Sequence, residues 1–340
     1  MAIFELTLKG PLHLGEHLSI QKETTLDWFP SDSFFAAMVS SWAMQQLDVE
    51  TRLNQYQQQE QPPLLISSLF PRAGKVRFYP APPRLPEHSG LLGTGSKAAR
   101  KVRWMSSGVL NALVNGSTPA SQPENFIHSS SVWLTDDERQ QIASFLDEEA
   151  GDIVIWKKGI VPRVTVDRMT SASNLFHSGR VIYGEDCGFW FAARGKLEWV
   201  REALRDLQDR GIGGLRSTGH GHFSWKEIDE DLSEPESGWG ICLSRFAPAS
   251  AQEIQNTLQA AYSAYRLTVV GGWCQDDQGH AWRRRSVRMV EEGALLPSSA
   301  RGWLVDVRPQ SAAHWQGPHR PVIRCGLAFM IEAGKLVEAA

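Results

Sequence analysis

Residues 2–9 (AIFELTLK) alternate apolar and polar positions, the period of a strand at an edge or with one face buried, and Gly10-Pro11 ends it. A loop carrying His13, Gly15 and His17 follows. From about Asp32 to Leu47 the spacing becomes helical. Phe34, Phe35, Met38, Val39, Trp42 and Leu47 fall largely on one face, and Ser31 or Asp32 supplies the cap. Residues 64–70 and 75–79 read as a strand pair around Pro71-Arg72-Ala73-Gly74. From Pro80 to about Gly151 the chain is rich in Pro, Ser and Gly and periodicity fades, which predicts a long insertion with one helix near Asp136–Asp147. Short β pieces lie between Ile153 and Val181, and 188–194 reads as a strand. An amphipathic helix over 196–209, with Leu197, Val200, Leu204 and Leu207 at spacings of three and four, stops at Gly211 as a C′ glycine. A strand resumes over 221–228.

Strand, helix, strand pair, insertion, strand, helix, strand is the βαββαβ order of a ferredoxin-like fold, shared by RNA-recognition modules. The acidic run Asp229–Ser237 marks a boundary. Beyond it 239–246, 264–273, 285–291, 302–307 and 321–331 read as strands, with a helix near 251–261, a second α+β unit. The predicted fold class is α+β with two ferredoxin-like domains, 1–228 and 238–340. The first carries an insertion at about 80–150 and a β-hairpin thumb at about 153–185.

A length of 340 residues with 42% hydrophobic and 21% charged content suits two compact domains with ordinary cores. No apolar run approaches a membrane span, and the opening MAIFELTLKGPLHLG lacks a basic segment followed by a long apolar one. Four scattered cysteines without a CxxC pair predict free thiols and a cytoplasmic protein, with no zinc site. The net charge of -3 is unlike a free-standing nucleic-acid binder, but the charge is segregated. From Arg72 to Arg103 eight cations (Arg72, Lys75, Arg77, Arg84, Lys97, Arg100, Lys101, Arg103) stand against Glu87 alone, a local balance of +7. The segments Asp136–Asp152 and Asp229–Glu236 carry the compensating acid, so one face toward phosphates and others toward protein partners are expected.

The sharpest local signal is Gly211-Ile212-Gly213-Gly214-Leu215-Arg216-Ser217-Thr218-Gly219-His220-Gly221. Bare backbone lets N–H groups approach phosphate oxygens, and Arg216, Ser217 and Thr218 add donors. The glycine spacing fits neither a Walker loop nor a dinucleotide fingerprint, and a plain helix-to-strand turn needs only one or two glycines. Pro162–Phe176 carries Arg163 and Arg168 among β-branched residues, then Asn174 and Phe176, so an arginine and an aromatic on an extended hairpin can grip a backbone and wedge between bases. The bland alternative is a surface hairpin with solvated arginines. His13, His17, His220 and His222 lack the carboxylate or cysteine partners of a metal site, and they read as hydrogen-bonded structural groups or neutral RNA contacts more readily than as acid–base catalysts. Asp32 reads as a helix cap and Asp167 as one half of a structural ion pair. Arg283-Arg284-Arg285 with Arg288 suits either RNA phosphates or an acidic neighbouring subunit. Trp28, Trp42, Trp104, Trp190 and Trp273 read as core or interface.

Taken in order, several segments resemble the RAMP superfamily of CRISPR proteins, in its Cas-five group, and within that the fourth subunit of type III-A (Csm) complexes. They are Pro11-Leu12-His13-Leu14-Gly15, Ser31-Asp32-Ser33-Phe34-Phe35-Ala36, Val166-Asp167-Arg168-Met169-Thr170 with Ala172-Ser173-Asn174-Leu175-Phe176, the glycine-rich Gly211–Phe223, Gly271-Gly272-Trp273, Arg285–Gly293 (RSVRMVEEG) and Pro321–Phe329 (PVIRCGLAF). The insertion 80–150 matches nothing in that pattern. The resemblance implies a non-catalytic subunit without cofactor or metal that binds the 5′ handle of the CRISPR RNA in antiviral defence. Its protein partners would be the large polymerase-like signalling subunit and the first backbone RAMP subunit. Carried over, His13 and Gly15 with Gly213, Gly214, Arg216, Ser217, Thr218, Gly219 and His220 would line the handle groove. Arg163, Arg168, Asn174 and Phe176 would belong to the thumb that kinks the guide. Two alternatives stay open: a metal-independent endoribonuclease of CRISPR repeats using His13 or His220, and the equivalent subunit of a type III-B (Cmr) complex.

Overall fold

A computed structural model describes residues 1–15, 24–58, 61–91, 101–146, 148–149, 152–275, 279–309 and 322–337. His17, Lys97, Arg100, Asp147 and Pro321, which entered the expectations above, lie outside the described residues. The protein is a mixed α+β structure. Its first element, β1 (Ala2–Leu8), is followed by α1 (Ser31–Met44), α2 (Val49–Gln58) and three short strands, β2 (Leu64–Ile66), β3 (Phe70–Ala73) and β4 (Val76–Pro80). Next come β5 (Trp104–Ser106), α3 (Ser107–Val114), β6 (Phe126–Ile127), β7 (Val132–Trp133), α4 (Asp136–Ala143) and the small pair β8 (Glu148–Glu149) and β9 (Asp152–Ile153). A long hairpin, β10 (Trp156–Val166) and β11 (Ser173–Tyr183), leads into β12 (Cys187–Gly195), α5 (Leu197–Arg210) and β13 (Phe223–Ile228).

β1 lies inside the sheet, not at its edge: the strand order is β13-β1-β12-β3-β4-β5-β7-β6, with β2 also on β12. The alternation seen in the sequence is real. Phe4 stacks on Phe191 at 5.0 Å and Phe191 meets Phe34 of α1 edge-on at 4.9 Å. The opposite face is also covered, because Glu5 is 3% exposed beneath Arg77 (3.1 Å), Lys226 (3.0 Å) and Arg72 (3.9 Å). Arg72 and Arg77 therefore point inward, and the basic segment from Arg72 to Arg103 is not one continuous surface.

α1 starts with Pro30 at its N-cap and no side-chain cap, so neither Ser31 nor Asp32 caps it. Phe34, Phe35, Met38 and Trp42 are buried, each burial contributing roughly 1.5–3 kcal/mol. Trp42 Nε1 donates to Trp199 O of α5 at 2.9 Å. α5 buries Trp199, Val200, Ala203, Leu204 and Leu207 and ends at Gly211, whose N–H donates to Leu207 O. The region 80–150 is not a bare insertion. β5, β6 and β7 lengthen the main sheet, β5 and β7 in parallel, and α3 follows a Ser106 cap. α4 opens with Thr135 and Glu138 reciprocally bonded, a capping box.

The C-terminal part comprises β14 (Trp239–Cys242), α6 (Ala251–Thr257), β15 (Leu267–Val270), β16 (Trp273–Gln275), β17 (Ala281–Arg283), β18 (Val287–Val290), β19 (Ala294–Pro297), β20 (Leu304–Asp306), β21 (Ile323–Cys325) and β22 (Met330–Glu332). β14 is central in β19-β14-β22, and the rest pair as β15–β18, β16–β17 and β20–β21. This part shares its core with the first: Ile241, Leu243, Leu295, Phe329 and Ile331 belong to the cluster that holds Phe34 and Phe191. Asp32, fully buried, pairs with Arg245 (3.2 Å) and Arg324 (2.8 Å) across that contact. Trp42, Trp104 and Trp190 are core, Trp28 is half-buried, and Trp273 is 65% exposed.

Candidate RNA interface

The β10–β11 hairpin pairs eleven residues with no bulge, from Trp156↔Tyr183 to Val166↔Ser173. Its root is buried at Trp156, Val181 and Tyr183, and its outer part is exposed. At the tip the Asp167 carboxylate accepts from Met169 N (2.7 Å) and Thr170 N (3.2 Å). Asp167 is therefore a turn-former, and those bonds hold its carboxyl below the usual range; the ion pair expected from sequence is replaced by backbone capping. Directly opposed residues share a face. Arg163, Thr165, Asn174, Phe176 and Arg180 consequently lie on one side.

Three segments converge at the root. Leu12 and Val181 exchange backbone bonds of 2.8 Å, and His13 Nδ1 is 2.7 Å from Gly179 O. Gly214 N donates to His13 O (2.8 Å) and Gly221 N to Pro11 O (2.9 Å). Arg163 Nη2 reaches 3.5 Å from His220 Nε2. Thus the hairpin, the His13 loop and the glycine-rich loop form one corner of the molecule. An open groove of about 630 Å³ beside it is lined by Asp209, Arg210, Gly213, Gly214, Arg216 and His222, among others.

The glycines do two jobs. The N–H groups of Gly214, Gly219 and Gly221 are spent within the fold, on His13 O, Arg216 O and Pro11 O. A Cβ on Gly213 would lie 2.5 Å from His13 O, and one on Gly221 would lie 2.0 Å from Ile212 O. Close protein packing thus explains several of them, and the loop is less bare toward solvent than its composition predicts. Arg216, Ser217, Thr218 and Gly219 are the exposed part. Gly221→Ala should therefore destabilise the chain clearly more than Gly219→Ala. Both positions have positive φ, a cost of about 1–2 kcal/mol for an L-residue, but only Gly221 lacks space. Equal thermal shifts for the two variants would contradict this packing role.

Of the residues singled out in the sequence, His13, Gly213, Gly214, His220 and Arg163 come together, and Gly15 stands exposed at the end of the His13 loop. Phe176 is opposite Arg163, while Asn174 sits farther out and Arg168 occupies the tip, away from the loop. His220 and His222 precede β13 and are not on it. His220 is 4% exposed; burial, with the nearby Arg163 and Arg180 charges, pushes its imidazole below its usual range despite a bond toward Thr218 O. Arg180, on the Arg163 face, and Arg210, in the groove, were missed by sequence reasoning. Strand alternation locates Arg180 once the register is known; Arg210 has no local signal. Among the described residues no group of three or more His, Cys, Asp or Glu is placed to hold a metal ion, and no helix is long and apolar enough to cross a membrane.

Residues 236–333 match the family model described as the CRISPR Csm4 C-terminal domain. Among curated relatives, the CRISPR system Cms protein Csm4 of Thermococcus onnurineus is 28% identical over 148 residues, 42% of this chain and 45% of that protein. The protein of the same name from Streptococcus thermophilus is 22% identical over 162 residues, 46% of this chain and 53% of that one. The chain thus spans about half the length of these two relatives. That of Methanocaldococcus jannaschii is 19% identical over 349 residues, 92% of this chain and 89% of that protein. The fold resembles a chain from a crystal structure of a Csm3–Csm4 subcomplex of the type III-A interference complex, with TM-score 0.65, 15% identity and coverage of 97% of this chain and 99% of that one. It also resembles a chain of a Csm1–Csm4 cassette solved with pppApA, with TM-score 0.57, 17% identity and coverage of 99% and 98%. In its matched C-terminal region, its curated relatives and its fold, the chain is similar to Csm4 proteins.

Proposed function

We propose that the chain is a non-catalytic, cytoplasmic subunit of a type III-A CRISPR complex that grips the 5′ handle of the guide RNA. It bridges the large polymerase-like subunit and the first backbone subunit. The convergence of hairpin, His13 loop and glycine-rich loop carries this reading, because it brings the hairpin face of Arg163, Phe176 and Arg180 against His220, beside a groove lined by Arg210 and Arg216. Relatives of the same fold were solved with Csm3 or with Csm1, which supports the two protein partners. In the first lobe the order β13-β1-β12-β3 with α1 and α5 supports a ferredoxin-like βαββαβ unit, and the β14–α6 start of the second part supports a related one. The commitment of His13 Nδ1 to Gly179 O and the burial of His220 favour binding over cleavage.

Co-expression with a CRISPR array, followed by sequencing of bound RNA and mass spectrometry of co-purifying proteins, tests the assignment. RNA sharing a repeat-derived 5′ end should be recovered, and Arg163→Ala with Arg216→Ala should reduce that recovery while the chain stays folded. Specific cutting of labelled repeat RNA in EDTA, abolished by His13→Ala or His220→Ala, would instead establish an endoribonuclease.

A further inference from the structure

The hairpin has a second side. Lys158, Ile160, Pro162, Val164 and Val166 alternate with the Arg163 face, so they lie away from it. At the root of this side Lys158 Nζ is 2.8 Å from Asp27 Oδ1, and Arg103 Nη1 is 3.5 Å from the same oxygen. Asp27 is buried, yet the two cationic side chains are 45% and 44% exposed. Burial works upward on the Asp27 carboxyl, but the charges of Arg103 and Lys158 outweigh it and hold it below the usual carboxylate range. One buried anion therefore faces two half-exposed cations.

The Arg103 guanidinium lies over Trp28 at 3.8 Å from the ring centroid, and Trp28 meets Trp104 edge-on at 6.1 Å. A half-exposed guanidinium held 3.8 Å from the Trp28 ring centroid and 5.5 Å from that of Trp104 offers a plane on which a base stacks, with Lys158 beside it for the adjoining phosphate.

We propose that Arg103, Trp28 and Lys158 form a second contact for single-stranded RNA, taken by the nucleotides that follow the handle in the 3′ direction, on the far side of the hairpin. The site rests on the handle-binding reading. An acidic protein surface would need only charge; it gives no reason for a guanidinium plane fixed on an indole at the foot of a hairpin whose other side presents Arg163, Phe176 and Arg180.

The test uses the full-length chain and two fluorescent RNAs, the repeat-derived handle alone and the same handle with a few nucleotides added at its 3′ end, followed by anisotropy. Wild type should bind the longer RNA more tightly. Arg103→Lys keeps a cation beside Asp27 and removes the plane. It should lower affinity for the longer RNA about tenfold, the loss of one stacked base, and leave handle-only affinity and the melting temperature unchanged. No gain from the added nucleotides in wild type, or an Arg103→Lys loss that is absent or equal on both RNAs, overturns the proposal. So does a variant that keeps the RNA gain but sheds a protein partner. Failure of the handle reading has its own signature, a handle-only affinity untouched by Arg163→Ala.

Discussion

Asp32→Ala is expected to lower the unfolding free energy by about 3–5 kcal/mol, seen as a large drop in the urea midpoint. The carboxylate is fully buried and holds two guanidiniums, Arg245 at 3.2 Å and Arg324 at 2.8 Å, that are themselves only 6% and 5% exposed. Deleting it strands both cations. Glu292, 3.7 Å from Arg245, and the charge of Glu291 remain nearby, but Arg245 Nε already lacks a hydrogen-bond partner. Asp32→Asn keeps the shape and one acceptor but loses the charge, so its midpoint should fall between. The contrast is a half-exposed pair such as Arg201–Glu227 (2.7 Å), where solvent screening leaves less than about 1 kcal/mol. A wild-type midpoint for Asp32→Ala would mean that the arginines are solvated or re-paired in a way the buried geometry does not allow.

Cutting the hairpin short should separate RNA binding from stability. Val161 and Ser178 are directly opposed, so an Asn-Gly turn can join them and remove 162–177 without disturbing the root or the Gly179 contact to His13. The deleted part is mostly exposed, and Val164, Val166, Met169 and Leu175 are large apolar groups that solvent already touches. Thermal stability should therefore hold. RNA retention should fall at least tenfold, because Arg163 and Phe176 leave together and one stacked base alone is worth about 1–3 kcal/mol. Unchanged retention by filter binding would remove the hairpin from the interface.

What could be read from the sequence was local. β1, α1, α5 and β12 follow from short-range periodicity, and their limits differ from expectation by only a few residues. α2 was missed because its apolar stripe is thin, Val49, Leu53 and Tyr56 only partly buried against the core in an otherwise polar, glutamine-rich sequence. α3 is short and sits in a stretch that composition marked as loop, and the strands around it pair with partners far along the chain, one of them in parallel. Asp32 shows the same limit at the level of one side chain. Its partners lie 213 and 292 residues away, so a local rule could only assign it to the helix start. The glycine-rich loop was read from its composition as bare backbone open to phosphate oxygens. Composition could not say that the nearest neighbours of Gly213 and Gly221 are His13 O and Ile212 O.

Among the described residues, the long ladder of β10 and β11 has no third strand beyond its root. A lone two-stranded ribbon is at best marginally stable in water. Its outer amide protons therefore exchange with solvent through local opening, while those of β1, flanked by β12 and β13, wait for global unfolding. Whatever strand the ribbon holds must also quiet it, so part of the binding energy goes into ordering the ribbon itself.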